Sequence, residues 1–441
     1  MIMEMLTKMN GVRCSCGKVH EFGSEILTGA GVIARVPEII KKYGAKKPYI
    51  LSDKNTYAAA GEKLCAILRD EGITYSSYSF DEEHLEPDEK TVGSAFMHMS
   101  RDCDFVIGVG SGVINDTAKI LSMHTGKKYI IVATAPSMDG YASMTSSVTL
   151  DGIKTSLSSR CADVIVGDTD ILSKAPARLL VAGVGDMLAK YISICEWRIA
   201  ALVCGEYYCE EIAELIRSAL RRVVESADLL LRGDPDAVIS VFDALSAGSV
   251  AMNYAGISRP ASGVEHYISH VIDMRGAEFG TPVDLHGTQC AVGTLISLRL
   301  YEKLKKFTPD KVRALKYAES FDLEAHNARL RSLLGSSGEG MIALEKKEGK
   351  YDVKKHHERL EIILEKWNDI MKIIDEELPD ADEVEGLMKK LGLPTSISEL
   401  GTDEKLLPDI FLSTKDIRDK YVLPRLLWDL GIIDDFVSEL K

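Results

Sequence analysis

The sequence predicts an α/β domain built on a parallel, Rossmann-like sheet over residues 1–173, followed by an all-α helical domain over residues 174–441. Three observations predict it. Apolar β-forming runs alternate with helical patterns across the first 170 residues, the arrangement of βαβ units and a parallel sheet. Among them, residues 105–142 read as strand, glycine turn, helix, strand and polar loop. Beyond Ser173-Lys-Ala-Pro176 the strand signals vanish, and long amphipathic segments run to Lys441.

Taken in order, residues 17–22 read as a short strand and Ile39 to Tyr43 closes a helix. Pro48-Tyr49-Ile50-Leu51-Ser52-Asp53 is a buried strand ending in a carboxylate. Asp53 is either a holder of ribose hydroxyls or the cap of the next helix, since Asp suits both. Residues 61–70 read as a helix, 73–80 as a strand and 88–99 as a helix. Phe105-Val106-Ile107 is an apolar strand punctuated by Gly108, Gly110 and Gly112; Ile114, Ala118, Ile120 and Leu121 then share a helical face. Tyr129 to Ala133 is the next strand, stopped by Thr134-Ala135-Pro136-Ser137, and Val164 to Asp168 is the last. In the second domain Leu360, Ile363, Leu364, Trp367, Met371 and Ile374 fall on one helical face. Residues 336–350 read as a surface loop, and His356-His357 as a solvated pair on a charged face.

A strand that ends in glycines and opens a helix aims backbone N–H groups and a positive dipole end at one spot, which suits a pyrophosphate. GVGSGVIND does not have the GxGxxG spacing, so a tight βα turn without ligand is the competing reading. The second loop, TAPSMDGYAS, places Ser137, Asp139 and Ser143 at the carboxyl end of the neighbouring strand, where open parallel sheets bind ligands.

The 441 residues carry a formal charge of −14, with 46% hydrophobic and 27% charged residues. This balance is that of a globular chain and argues against nucleic acid or an anionic membrane as partner, both of which need a basic face. No run resembles a signal peptide or reaches a membrane span, so a cytoplasmic protein is expected. Nine cysteines are sparse and odd in number, against a disulfide framework. Cys65, Cys195, Cys204 and Cys290 read as core filler. Cys14-Ser-Cys16-Gly-Lys-Val-His20 gathers three soft ligands in seven residues and reads as a surface hairpin more than as a metal clip, because structural zinc wants four.

Three pieces of the helical domain carry ionisable residues where a bundle prefers apolar ones. Asp186 follows Gly183 and Gly185, at the head of an apolar helix where it could serve as a cap. His266 and His270, four apart, share a helix face. His286 opens a further helix, so three of ten histidines fall within 21 residues. Singly, each reads as a hydrogen-bonded interior or capping residue. Together, two imidazoles and a carboxylate suit Zn²⁺, Fe²⁺ or Ni²⁺ and leave a position for substrate.

GVGSGVINDTAK, TAPSMDGYAS, AGVGDMLAK, SRPASGVEHYISH and LHG, in this order, resemble the sn-glycerol-1-phosphate dehydrogenases of the iron-containing alcohol dehydrogenase and dehydroquinate synthase superfamily. CSCGKVH and IRDKYVLPRLLWDLG look like its longer bacterial branch. The resemblance implies an active site in the cleft between the two domains. It places NAD or NADP on Gly112, Val113, Ile114, Asn115 and Asp116, on Thr134, Ala135, Pro136 and Ser137, and on Ser143. Asp139 and His270 match substrate positions; Asp186, His266 and His286 match metal ligands, with Asp186 also touching substrate. Asp186 and His270 are the implied catalytic residues. The implied reaction is reversible reduction of dihydroxyacetone phosphate to sn-glycerol 1-phosphate, the backbone of archaeal-type ether lipids, with zinc or nickel and in a homodimer or larger assembly. Arg259 and Lys154 are candidates for the substrate phosphate on chemistry. The family commonly has His-Gly-Glu where this chain has His286-Gly287-Thr288, which questions what supports His286. The rivals are another polyol or glycerol dehydrogenase of the superfamily, a dehydroquinate synthase, or a non-catalytic nucleotide-binding protein.

Overall fold

The computed structural model describes residues 2–82, 85–150 and 153–440, with side chains from residue 155 onward in the last stretch. The chain forms two compact units, Met1–Met187 with Glu214–Gly256, and Leu188–Ala213 with Ile257–Lys441. The units do not divide at residue 173. Residues 174–187 and 214–256, largely helical, belong to the same unit as the sheet.

The first unit holds a six-stranded parallel sheet. Its strands are β1 (Glu25–Gly29), β2 (Pro48–Asp53), β3 (Ser76–Phe80), β4 (Phe105–Gly110), β5 (Lys128–Ala133) and, after an antiparallel hairpin of β6 (Thr145–Leu150) and β7 (Ile153–Ser158), β8 (Val164–Asp168). The order is β1-β8-β5-β4-β2-β3. The central strands are near-continuous apolar runs because helices cover both faces of a parallel sheet. Ile50, Ile107, Val109, Ile130, Val132, Val164 and Val166 pack with Ile33, Ile40, Leu64 and Leu68 in one buried core. Pairing runs from Phe105↔Lys128 to Gly110↔Ala133, so β4 and β5 end level. The loops after Gly110 and Ala133 therefore leave the sheet side by side.

Several sequence expectations change. Residues 17–22 form no strand; only single pairings, Asn10 with His20 and Arg13 with Val19, occur there. Turns at Gly11 and Gly17, with φ of 73° and 87°, bend the chain too sharply for a ladder. The β6–β7 hairpin escaped the reading because its alternating face is Ser and Thr rather than aliphatic. Helix Pro235–Ala255 is long and apolar enough to span a membrane by composition, yet 78% of that stretch is buried within the protein, as in a core helix.

Every element of the second unit is helical among the described residues. Helix Ser336–Glu348 occupies the stretch expected to be a loop. Its glycines permit close packing: a Cβ on Gly338 would stand 2.7 Å from the Leu330 carbonyl oxygen. The long face read from Leu360 to Ile374 breaks at Lys366 into helices Val353–Glu365 and Trp367–Glu377. His356 is buried rather than solvated, its Nε2 2.9 Å from the Asp429 carbonyl and its ring edge-on to Trp428. Cys204, expected in the core, is exposed.

Candidate active site

In the first unit, the site is built at the carboxyl ends of β4 and β5. Helix Gly112–Thr125 begins directly after β4, and Ser111 provides it no side-chain cap. Among the described residues, no N-cap side chain therefore reaches the first-turn N–H groups of Gly112, Val113 and Ile114. Gly110 must lack a side chain, since its Cβ would lie 2.6 Å from that of Ile114, which folds back onto the strand end. A Cβ on Gly112 would meet only Met138 Cγ, at 3.9 Å, so the approach to the helix start is open. Ser111 Oγ and Ser137 Oγ hydrogen-bond at 2.7 Å and tie the two loops together.

Asn115 and Asp116, matched to the cofactor site, act here on the protein itself. Asn115 is fully buried; its Nδ2 donates to the Gly140 carbonyl at 3.1 Å and its Oδ1 accepts from the Tyr129 hydroxyl. Asp116 accepts from the Ser147 N–H and pairs with buried Lys119, whose ammonium also donates to the carbonyls of Gly140 and Thr145. These bonds clamp the 134–143 loop from one side. From another side, the Ser249 hydroxyl donates to the Asp139 carbonyl, and Asn253 Nδ2 donates to that of Ala142 at 2.7 Å. Within the loop, the Tyr141 hydroxyl donates to the Ala135 carbonyl, Thr134 N–H donates to the Gly110 carbonyl, and Ser143 caps its own turn by accepting from Thr145 N–H.

Helix Ala177–Leu188 closes this region. A Cβ on Gly183 would fall 1.9 Å from the Pro136 carbonyl oxygen, so only glycine allows that contact. Three residues on, Asp186 is wholly buried and its Oδ2 accepts the Asp139 N–H at 2.9 Å. The expectation of Asp186 as a helix head is corrected: it lies near the helix's carboxyl end, two residues before Leu188. Asp53 joins none of these bonds. Its Oδ1 accepts from Asn55 and Thr56 N–H, and Thr56 Oγ1 accepts from Asp53 N–H, a reciprocal capping box.

In the second unit, helices Val264–Phe279 and His286–Leu304 pack closely because Gly293 has no side chain; a Cβ there would sit 2.6 Å from the Glu265 carbonyl oxygen. That contact brings the rings of His266 and His286 to 5.0 Å and those of His270 and His286 to 6.1 Å. His266 Nδ1 stands 2.9 Å from Glu265 Oε1. A carboxylate only accepts, so Nδ1 carries the proton and Nε2 the lone pair. His286 Nδ1 is 3.2 Å from Ser269 Oγ, which also accepts from Gln289 Nε2; Gln289 donates in turn to Asp273. Ser269 and Gln289 thus provide the support that Thr288 does not. Behind the pair, Glu196 is buried while accepting from the N–H groups of Val264 and Leu423; burial and then neighbouring Glu265 push its carboxyl up to about 8.

Cys290, expected as core filler, belongs to this cluster. A ligand atom from each of His266, His286 and Cys290 lies within 4.8 Å of the others, with Cys290 Sγ 3.6 Å from His286 Nε2. Burial raises its thiol, but the two imidazoles outweigh burial and bring it below the ordinary range. The spacing signal was present: Cys290 follows His286 by four residues, one helical turn. Within the second unit, imidazoles fixed through one nitrogen and a nearby sulfur form a donor chemistry that fits a divalent transition metal. Arg259 is corrected as a phosphate ligand. It is 1% exposed, donates through Nε and Nη2 to Glu206 and through Nη1 to the Tyr421 carbonyl, and so is committed to the fold. The Lys154 side chain lies outside the described residues.

A family model described as iron-containing alcohol dehydrogenase matches residues 27–176. The chain is 28% identical over 415 residues to a glycerol-1-phosphate dehydrogenase [NAD(P)+] of Halalkalibacterium halodurans, covering 93% of this chain and 94% of that one. To the protein of that name from Methanosarcina mazei it is 33% identical over 319 residues, 69% of this chain and 88% of the other. Among solved structures, a glycerol dehydrogenase from Schizosaccharomyces pombe shares the fold with a TM-score of 0.60 at 18% identity, over 95% of this chain and 90% of that one. An iron-containing alcohol dehydrogenase from Thermococcus thioreducens does so with a TM-score of 0.59 at 14% identity, over 95% and 98%. The chain belongs to the glycerol-1-phosphate dehydrogenase family, a branch of the iron-containing alcohol dehydrogenases, and is an oxidoreductase.

Proposed function

We propose that this protein catalyses the reversible, NAD(P)H-dependent reduction of dihydroxyacetone phosphate to sn-glycerol 1-phosphate, assisted by one divalent metal ion, zinc or nickel. Its relatives' names carry the reaction and the cofactor. The observation that carries the metal is the lock on His266: Glu265 holds its proton at Nδ1, which presents Nε2 as a ligand beside His286. Asp186, His266 and His286 are the ligands in this reading.

When bound, the metal supplies Lewis-acid polarisation of a carbonyl and the nicotinamide supplies hydride. The chain's own groups do the rest. The first-turn amides of helix Gly112–Thr125, with Ser137, bind the pyrophosphate. Asn115, Lys119 and Ser249 hold the 134–143 loop in one shape, so the cofactor site is formed before ligand arrives. Asp186 contributes a buried negative charge steadied by the Asp139 N–H, and Asp139 stands where substrate hydroxyls are recognised. His270 moves the proton that the product hydroxyl requires.

The test is an assay of the metal-loaded enzyme with NADH or NADPH and either dihydroxyacetone phosphate or dihydroxyacetone. Oxidation of the nucleotide is expected with the phosphate ester, with sn-glycerol 1-phosphate as product. Equal rates with the unphosphorylated ketone would instead favour a polyol dehydrogenase. Absence of any nucleotide oxidation would overturn the proposal.

A further inference from the structure

The cysteine hairpin at the start of the chain lies outside the oxidoreductase chemistry, and its geometry is that of a metal clip. Cys14 and Cys16 flank a tight turn: Gly17 N–H donates to the Cys14 carbonyl at 2.9 Å, Cys14 N–H donates to the Lys18 carbonyl at 2.8 Å, and Gly17 takes φ of 87°. Cys16 N–H points at Cys14 Sγ, 3.4 Å away, the type of bond that steadies a thiolate. The turn returns the chain so that His20 Nε2 lies 3.5 Å from Cys16 Sγ. Ligand atoms of Cys14, Cys16 and His20 all fall within 4.8 Å of one another.

His20 supplies the second, independent observation. It is 1% exposed, and its Nδ1 stands 3.1 Å from the Tyr254 carbonyl oxygen at the end of helix Pro235–Ala255. A carbonyl only accepts, so the proton sits on Nδ1 and the Nε2 lone pair faces the sulfur. Metal-bound histidines are oriented in this way by a carbonyl or carboxylate. Zinc bonds of about 2.3 Å to sulfur and about 2.0 Å to nitrogen, at a tetrahedral angle, separate the two atoms by about 3.5 Å. The observed spacing is the one zinc would set. A hairpin held only by packing would not need a buried imidazole locked in the ligating tautomer.

We infer that Cys14, Cys16 and His20 bind a structural zinc ion, with a fourth ligand from outside the hairpin, and that this ion ties residues 11–20 to the end of helix Pro235–Ala255. The site is separate from the histidine cluster of the second unit and does not depend on the reaction assigned above. It can be tested in a background where the catalytic ligands are removed, His266→Ala with His286→Ala. After dialysis against chelator, this full-length protein is expected to retain one equivalent of zinc by elemental analysis. Adding Cys14→Ser and Cys16→Ser is expected to remove it. Zinc retained in the quadruple variant, or none in the double variant, overturns the inference. Should the cysteine substitutions prevent folding, the double variant reconstituted with Co²⁺ still decides the matter. It is expected to show thiolate-to-cobalt charge-transfer absorption that Zn²⁺ bleaches, and absence of that band overturns the inference.

Discussion

The buried carboxylate of Asp186 accepts the backbone N–H of Asp139 at 2.9 Å, so one side chain anchors the 134–143 loop and, in the proposed function, also carries the metal-ligand charge. The two duties can be separated. Asp186→Asn keeps a carbonyl oxygen for the Asp139 N–H and removes only the charge. The variant is expected to fold, to lose its metal by elemental analysis, and to lose about a thousandfold in kcat/KM, the several kcal/mol a Lewis-acid site supplies. Full metal content with near-native rate would remove Asp186 from the ligand set.

Ser269 Oγ lies 3.2 Å from Nδ1 of His286, a metal ligand in the proposed function. Ser269→Ala is expected to weaken metal binding by about 10- to 100-fold through loss of the bond to His286 Nδ1. A titration of the apoprotein reads this directly, while the melting temperature of the metal-free protein should hardly move. Unchanged affinity would show that His286 needs no such partner.

Gly183 is a steric requirement. Gly183→Ala drives a methyl group into the Pro136 carbonyl, 1.9 Å away, so either the helix or the nucleotide loop must retreat. The expected cost is about 1–3 kcal/mol in denaturant unfolding, accompanied by a raised KM for the nucleotide. A rise in KM for the phosphate substrate alone would contradict this placement.

Arg259 separates structure from recognition. Its forked pair with Glu206 is buried on the arginine side, so Arg259→Ala is expected to destabilise the protein by about 3 kcal/mol. The KM for dihydroxyacetone phosphate should stay unchanged below the melting transition. A tenfold higher KM at native stability would return Arg259 to the phosphate site.

Asp243 gives a pH signature in the first unit. Burial pushes its carboxyl up to about 6 from an ordinary 3.8, partly opposed by Arg222 and Thr28, and its Oδ1 is buried with no partner. The folded state holds the proton more tightly than the unfolded one. The contribution of Asp243 is therefore most favourable below pH 3.8 and is lost as pH rises through about 6. Asp243→Asn should accordingly stabilise the protein above that range by up to about 3 kcal/mol, at 1.36 kcal/mol per pKa unit, and have little effect near pH 4. Denaturant midpoints measured across this interval that stay parallel for the two proteins would show the carboxyl to be unperturbed.

What the sequence by itself determined is what depends on neighbours along the chain. The apolar runs of β2, β4, β5 and β8 announced buried parallel strands, and the glycines after β4 announced the turn into a helix, because periodicity and glycine punctuation act locally. The residue types at 186, 266, 270 and 286 gave metal chemistry as an expectation, which the proposed function takes up. Tertiary structure decided which polar groups are spent on the fold. Asn115, Asp116 and Arg259 look like ligand residues on paper, yet each is hydrogen-bonded to the protein itself. Ser269 as the support of His286 and His20 locked by the Tyr254 carbonyl were equally hidden. Desolvation makes an unpaired buried polar group expensive, so each takes whichever partner packing brings near, and that partner is set by elements distant in the chain.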